Sequence, residues 1–367
     1  MLLVYQIVVV AHIATLHGIM SSMKLLPSSM SRTRLFAYGF CLLVSLGIVA
    51  LLLFSATYLE KQYEVTLDKG GLVETNAPAA SLFPVGVDPI AMTITEQPNL
   101  AEFMTNTLAI DVPVRNKSSI FEKLERVLVQ SGFYQQLASP TTRILVIWAG
   151  ERQEEVTDNF ARILGWSEAE EVLFLQTVNK LFDVKISEGL LYPDRYVVTL
   201  PASPETVAQM IHSRFIQNIT DRYPAGIEDT LPLSDTLIVA SLLEREAYSF
   251  EHMRLIAGVV WNRLFIDMPL QIDATLQYAR ASANNSTWWP VPVPSDKWID
   301  SPFNTYQNEG LPPAPIASPG TLAVVAALNP LKTDCLFYFH ADNGDMYCSE
   351  TYEQHVASLV EIFGQGR

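Results

Sequence analysis

Two glutamates, Glu244 and Glu246, stand near the end of an otherwise apolar stretch, Leu237-Ile238-Val239-Ala240-Ser241-Leu242-Leu243. A carboxyl in such surroundings suits general acid–base work, because burial disfavours its charged form and raises its pKa. The stretch has helical length, and residues two apart diverge by about 200° on a helix of about 3.6 residues per turn. The pair therefore cannot line one cleft as adjacent acid and nucleophile. Glu244 shares a face with Leu237, Ala240 and Ser241, which makes it the better placed acid. The same spacing also fits two ordinary helix-end charges.

Other chemistries lack their residues. There is no G-x-S-x-G, no Walker loop, no G-x-G-x-x-G and no H-E-x-x-H. The six histidines are scattered without a paired helical spacing, so no metal and no cofactor are expected. Further on, Ser301, Phe303, Asn304, Thr305 and Tyr306 follow Trp288, Trp289 and Trp298. Such a set can line a saccharide cleft, with aromatic faces on sugar C–H surfaces and amides or hydroxyls on the ring substituents. It can equally be packing and turn structure. Pro312, Pro313, Pro315 and Pro319 read as a rigid, shape-giving loop.

The elements that must position these residues follow from periodicity and stop signals. Ser234 is placed to cap the helix through Glu246, and FEHMRLIAGVVWNRLFI forms a second helix almost at once. TLAVVAALNP is a third. A hairpin turning at Asn343-Gly344 follows, and then a last helix containing His355. Upstream, a strand is expected at Ile110–Val114, then a helix capped at Ser118 or Ser119 that presents Ile120, Leu124, Val127 and Leu128 and stops at Gly132. The plan repeats with a strand at Ile144–Trp148 and a helix over Glu154–Leu164, ended by Gly165. Gly189–Asp194 is a tight loop leading into extended Arg195–Leu200. Ser203-Pro204 opens a helix running to about Tyr223, with Val207, Met210, Ile211 and Phe215 on one side. The fold class is α+β.

Composition places the chain. Of 367 residues, 49% are hydrophobic, only 17% are charged, and the net charge is −15. This excludes a disordered chain and makes nucleic acid an improbable partner. Leu35–Leu59 is uncharged throughout, long enough for a single transmembrane helix. Lys24, Arg32 and Arg34 precede it without any acid, which holds residues 1–34 in the cytoplasm. Residues 1–22 then read as lying upstream of the true start, with Met23 or Met30 opening a short basic lead. The 39 acids all follow the anchor, against the 21 bases left after those three, so the exported part carries −18. Residues 60–107, rich in Ala, Pro, Gly and Thr, read as a connector. Cys335 and Cys348 flank the hairpin, where a disulfide and two free thiols are both compatible with the sequence.

The segments ASLLEREA, AGVVWNRL, MPLQIDATLQYA, SPFNTYQNEGLPPAPIASPG, AALNP and TYEQH, in this order and spacing, closely resemble the endolytic murein transglycosylase family, also called YceG-like. GLLYPDRY resembles its Gly-aromatic-Pro-Asp-Tyr loop. The resemblance implies a LysM-like and linking α+β region over 108–225 and a catalytic domain over 226–367, behind an anchor in the bacterial inner membrane. It implies cleavage of the β-1,4 bond between N-acetylmuramic acid and N-acetylglucosamine in peptidoglycan glycan strands. The muramic C6 hydroxyl is the nucleophile and a 1,6-anhydro end results, limiting nascent strand length beside peptidoglycan synthases. One glutamate suffices for this. By motif position it is Glu244, with Glu246 orienting its neighbours. The resemblance assigns Asn262, Arg263, Gln271, Asp273, Asn304, Thr305 and Tyr306 to substrate contacts, with a structural role for Asn262 and Arg263, tying the second helix to the loop, as the alternative. The chain departs from the pattern at Ala247, commonly Thr, at Gly344-Asp345-Met346, commonly Gly-Gly-His, and at WWPVPVPSDKW, commonly more polar. A hydrolytic glycosidase using Glu244 with Asp273, and a non-catalytic peptidoglycan-binding scaffold, are the alternatives.

Overall fold

The computed structural model describes residues 82–107, 141–284 and 287–364, all within one unit, Ala79–Arg367. It is a mixed α+β structure whose sheets are three separate antiparallel pairs. The apolar span Leu35–Leu59, the strand expected at Ile110–Val114 and the helix after it lie outside the described residues. No helix among the described residues is long and apolar enough to cross a membrane.

A first layer is built from β3 (Thr142–Val146), α2 (Gln153–Leu164), α3 (Glu168–Phe182), β4 (Arg195–Thr199) and α4 (Pro204–Asn218). β3 pairs antiparallel with β4 in a register that sets Ile144 opposite Val197. Local chemistry fixes each boundary. Gly165 ends α2 at φ 72°, where a left-handed residue costs glycine little. Glu170 accepts from the Ser167 amide at the start of α3, and the Ser203 hydroxyl accepts from the Thr206 amide at the start of α4. Leu145, Phe160, Phe174, Tyr196, Val207 and Ile211 form the core of this module. The helix expected to run to Tyr223 stops at Asn218 and continues as a tight turn over Thr220–Arg222.

The second body centres on α5 (Leu233–Glu246), packed between α6 (Phe250–Phe265), α8 (Thr321–Leu328) and α7 (Asp273–Asn284). Every residue of α5 from Thr236 to Arg245 is buried. Such a helix has no solvent face over that span, which is why its apolar run carries no periodic interruption. It starts earlier than the sequence suggests. Pro232 precedes it and its carbonyl accepts from the Asp235 and Thr236 amides, while the Ser234 hydroxyl turns to Asp235 instead of capping. Gly258 lets α6 approach the following chain closely, since a Cβ there would sit 2.4 Å from the Leu331 carbonyl oxygen.

Residues 82–107 differ from the connector that their composition suggests. β1 (Val87–Asp88) and β2 (Thr93–Ile94) form a small hairpin, and α1 (Leu100–Thr107) follows. Phe83, Val87, Ile94, Leu100 and Phe103 enter the core around α5. The Gly86 amide donates to Leu328 O at 2.8 Å, and the Asn329 amide donates to Pro84 O. Five apolar residues scattered irregularly among prolines and threonines give no period to read, yet they suffice to bury the segment.

The terminal hairpin pairs β5 (Phe337–His340) with β6 (Met346–Ser349), and α9 (Tyr352–Phe363) closes the chain. Cys335 and Cys348 are joined, with their Cα atoms 5.7 Å apart. Closing a loop of this size removes about 3 kcal/mol of unfolded-chain entropy. Replacing both cysteines with serine is expected to lower unfolding free energy by about 2–3 kcal/mol. Urea midpoints with and without reductant check this, and an unchanged midpoint would show that the bond contributes nothing.

Candidate active site

The two glutamates of α5 part company, as their angular separation requires. Glu244 is only 7% exposed. Its Oε1 accepts from the Gly320 amide at 2.9 Å, which ties α5 to the loop entering α8. Its Cβ lies 3.7 Å from where a Cβ on Gly150 would be. Arg245, beside it, lays its guanidinium 3.6 Å over Trp289 and donates to Gly150 O. Glu244, the acid by the family's motif position, is thus buried and bonded to the Gly320 amide.

Glu246 is half-buried and faces the cleft residues. Its Oε2 accepts from the Tyr338 hydroxyl at 3.1 Å. Across the cleft the Tyr306 hydroxyl donates to Asp273 Oδ1 at 2.7 Å. Burial, together with the charges of Glu246 and Asp273, pushes both phenols up from their usual pKa, so both remain protonated donors. Lys297 sits with its ammonium 4.9 Å over the Tyr306 ring.

Of the seven residues assigned to substrate contacts, three keep accessible surface. Asp273 and Gln271 are exposed and Tyr306 half-buried. Gln271 adopts φ 50°, with its amide held by Thr305 O. The other four build the frame. Asn262 donates to Thr333 O and Cys335 O, and Arg263 donates to Leu336 O and Leu270 O. Asn304, fully buried, donates to Lys297 O and Ile299 O and accepts from the Tyr306 amide. Thr305 accepts from the Ile272 amide. Long irregular loops leave backbone groups that helices and sheets do not satisfy, and these side chains satisfy them. Trp289 is likewise committed to Arg245 and Glu155, not to a sugar. Tyr338 went unread in the sequence, and its position in a short hairpin gave no signal of its contact with α5. No group of three or more potential metal ligands occurs among the described residues.

Another buried acid, Glu188, immediately precedes the Gly189–Asp194 loop and also went unread. It accepts from the Gln153 amide and the Tyr278 hydroxyl, linking the βααβ module to α7. Burial, and secondarily Glu154, push its pKa up to about 8 from 4.5, with Arg152 pulling back less. Between these values the folded chain holds a proton that the unfolded chain releases. This contribution to stability is therefore full below pH 4.5 and declines as pH rises to about 8. The slope is at most about 1.4 kcal/mol per pH unit. Glu188→Gln is expected to flatten the fall in stability across that window. Urea midpoints of both chains at a series of pH values check it, and parallel curves would refute it.

A family profile described as YceG-like matches residues 115–361. The chain is 34% identical over 176 residues to the endolytic murein transglycosylase of Streptococcus pneumoniae serotype 2 (strain D39 / NCTC 7466), covering 47% of this chain and 32% of that protein. It is 34% identical over 184 residues to the protein of the same name from Bacillus subtilis (strain 168), covering 48% and 49%. The chain therefore spans between a third and a half of these curated relatives. A crystal structure of a yceG-like protein from Listeria monocytogenes superposes with a TM-score of 0.50 at 28% identity, over 58% of this chain and 74% of that one. With two thirds of its length inside the family profile, the chain belongs to the YceG-like family.

Proposed function

We propose that this chain is a peptidoglycan lytic transglycosylase with Glu246 as its acid/base. The observation that carries the assignment of the residue is the placement of Glu246, held by Tyr338, beside Tyr306 and Asp273, while Glu244 is bonded to Gly320. The names of the relatives support the reaction class. In the proposed reaction Glu246 protonates the oxygen leaving the muramic anomeric carbon. As a carboxylate it then takes the proton of the C6 hydroxyl, which attacks that carbon and closes the 1,6-anhydro ring. The atoms balance without water. The Asp273 carboxylate supplies negative charge opposite the developing oxocarbenium character, and the Tyr306 hydroxyl fixes its orientation.

The rest of the reading is proposed with it. Leu35–Leu59 anchors the chain in the inner membrane and the catalytic part lies outside the cytoplasm. The Cys335–Cys348 bond supports this, because disulfides persist in oxidising compartments. The strand–helix–helix–strand order of residues 142–199 supports a LysM-like module. Peptidoglycan synthases remain the proposed protein partners.

One observation favours a second reading. Asp273 shares the cleft with Glu246, and two carboxylates facing one bond are the equipment of a hydrolytic glycosidase. Digestion of purified sacculi by the full chain, read by mass spectrometry, separates the readings. Anhydro-ended fragments support transglycosylation and reducing ends support hydrolysis. Absence of any cleavage leaves the binding scaffold.

A further inference from the structure

Beyond Tyr338 the aromatic surface continues. His340 is two residues along β5, on the same face, with its ring 6.4 Å from that of Tyr338 at 83°. Tyr248 lies 4.5 Å from His340 at 73°, and His252 braces the same tyrosine at 6.4 Å and 67°. Tyr248 is two residues past Glu246, in the short link between α5 and α6. The backbone there is fixed on both sides. The Ala247 amide bonds Leu243 O, and the Ser249 hydroxyl accepts from the His252 amide to cap α6. The Tyr248 ring is therefore held rigidly, and it is still 49% exposed. From Glu246 through Tyr338 and His340 to Tyr248 the contacts run without a break.

We propose that Tyr248 and His340 form a stacking shelf that extends the Glu246 cleft and takes the apolar face of an uncharged N-acetylhexosamine ring, one or more sugars from the reacting bond. The proposal rests on the reading of the chain as a glycan-strand enzyme. A fixed aromatic face complements the C–H surface of a pyranose, and the phenol offers a bond to a hydroxyl or acetamido group. The acidic stretch of the cleft, with Glu246 and Asp273, suits the reacting sugars. The shelf carries no carboxylate and suits a neutral ring. Because it lies beyond the bond that breaks, it favours long strands over short ones and so supports cutting within a strand.

Binding is separated from cleavage by using the full chain carrying Glu246→Gln. This parent is titrated calorimetrically with amidase-treated glycan strands of hexasaccharide length and longer, and with the disaccharide. Tyr248→Ala added to it is expected to weaken binding of the long strands about five- to tenfold, as loss of one stacked ring would. Disaccharide binding is expected to stay unchanged, and Tyr248→Trp is expected to restore the long-strand affinity. His340→Ala should behave like Tyr248→Ala. If Tyr248→Ala shifts the thermal midpoint out of the folded range, Tyr248→Leu replaces it, keeping bulk without a π face. Equal affinity of parent and variant for long strands, or equal loss for long and short, overturns the shelf. The wild-type chain incubated with the same strands reports the other matter. If it makes no anhydro ends while the length-dependent loss holds, the reaction assignment fails and the shelf stands.

Discussion

Glu246→Gln is expected to abolish formation of anhydro-ended glycan, with a loss of at least about 10²–10⁴-fold, the usual contribution of a positioned acid/base. The amide keeps the size of the side chain, and its carbonyl still accepts from Tyr338, so the fold and the cleft should survive. What it loses is the ability to give and then take a proton. Glu244→Gln is the internal control. Its amide oxygen still accepts from the Gly320 N–H, and turnover should stay within a few-fold of wild type. Glu244→Leu is different, because it leaves that buried N–H unpaired at a cost of about 1–3 kcal/mol in stability. Initial rates by anhydro-muropeptide yield, beside thermal midpoints, give the comparison. A silent Glu244→Gln with a dead Glu246→Gln supports the assignment, and the reverse pattern returns the acid/base to Glu244.

Gly189→Ala should be the most damaging small substitution in the described chain. Gly189 has φ 83°, a conformation that costs an L-residue about 1–2 kcal/mol. The added Cβ would also lie 2.5 Å from Cβ and 2.6 Å from Cγ of Pro315. A proline ring cannot swing aside as a flexible side chain does, so the loop itself must move. That loop is tied to α5 at two points just beyond the clash. The Ile316 amide donates to the Ser241 hydroxyl, and Gly320 donates to Glu244. A combined loss of at least about 3 kcal/mol is expected, measured as a drop in urea midpoint together with weakened activity. A midpoint within experimental error of wild type would mean the loop yields without cost.

How far the sequence could be read depends on which kind of information each feature rests on. Helix ends were legible at Gly165, at Ser203-Pro204 and at Asn343-Gly344 in the hairpin, because caps and turns are local. The choice between Glu244 and Glu246 was not. Thr236 to Arg245 are all buried, so the helix has no amphipathic face from which to infer the direction of the cleft. The proposed choice rests on contacts with Gly320 and Tyr338, 76 and 92 residues away. For Asn262, Arg263, Asn304 and Thr305, residue type alone does not separate a glycan contact from a structural one. Amides, guanidinium and hydroxyl suit a glycan, and they suit equally the stranded carbonyls and amides of a long loop. The disulfide was left open because the pairing of two cysteines is a matter of distance, which the hairpin supplies.

The inclusion of residues 82–107 in the core around α5 changes what the βααβ module is. The body is assembled from chain on both sides of it, with Phe83 and Phe103 before and Leu237 to Leu328 after. In sequence the module lies between two stretches of the body, and the Tyr278 hydroxyl bonds it to that body through Glu188. It follows that a shortened chain beginning at residue 108 or 226 would not isolate a working unit. It would strip five core side chains and leave Leu328 O without its Gly86 donor. The smallest separable piece of this protein is one in which the beginning and the end of the unit travel together.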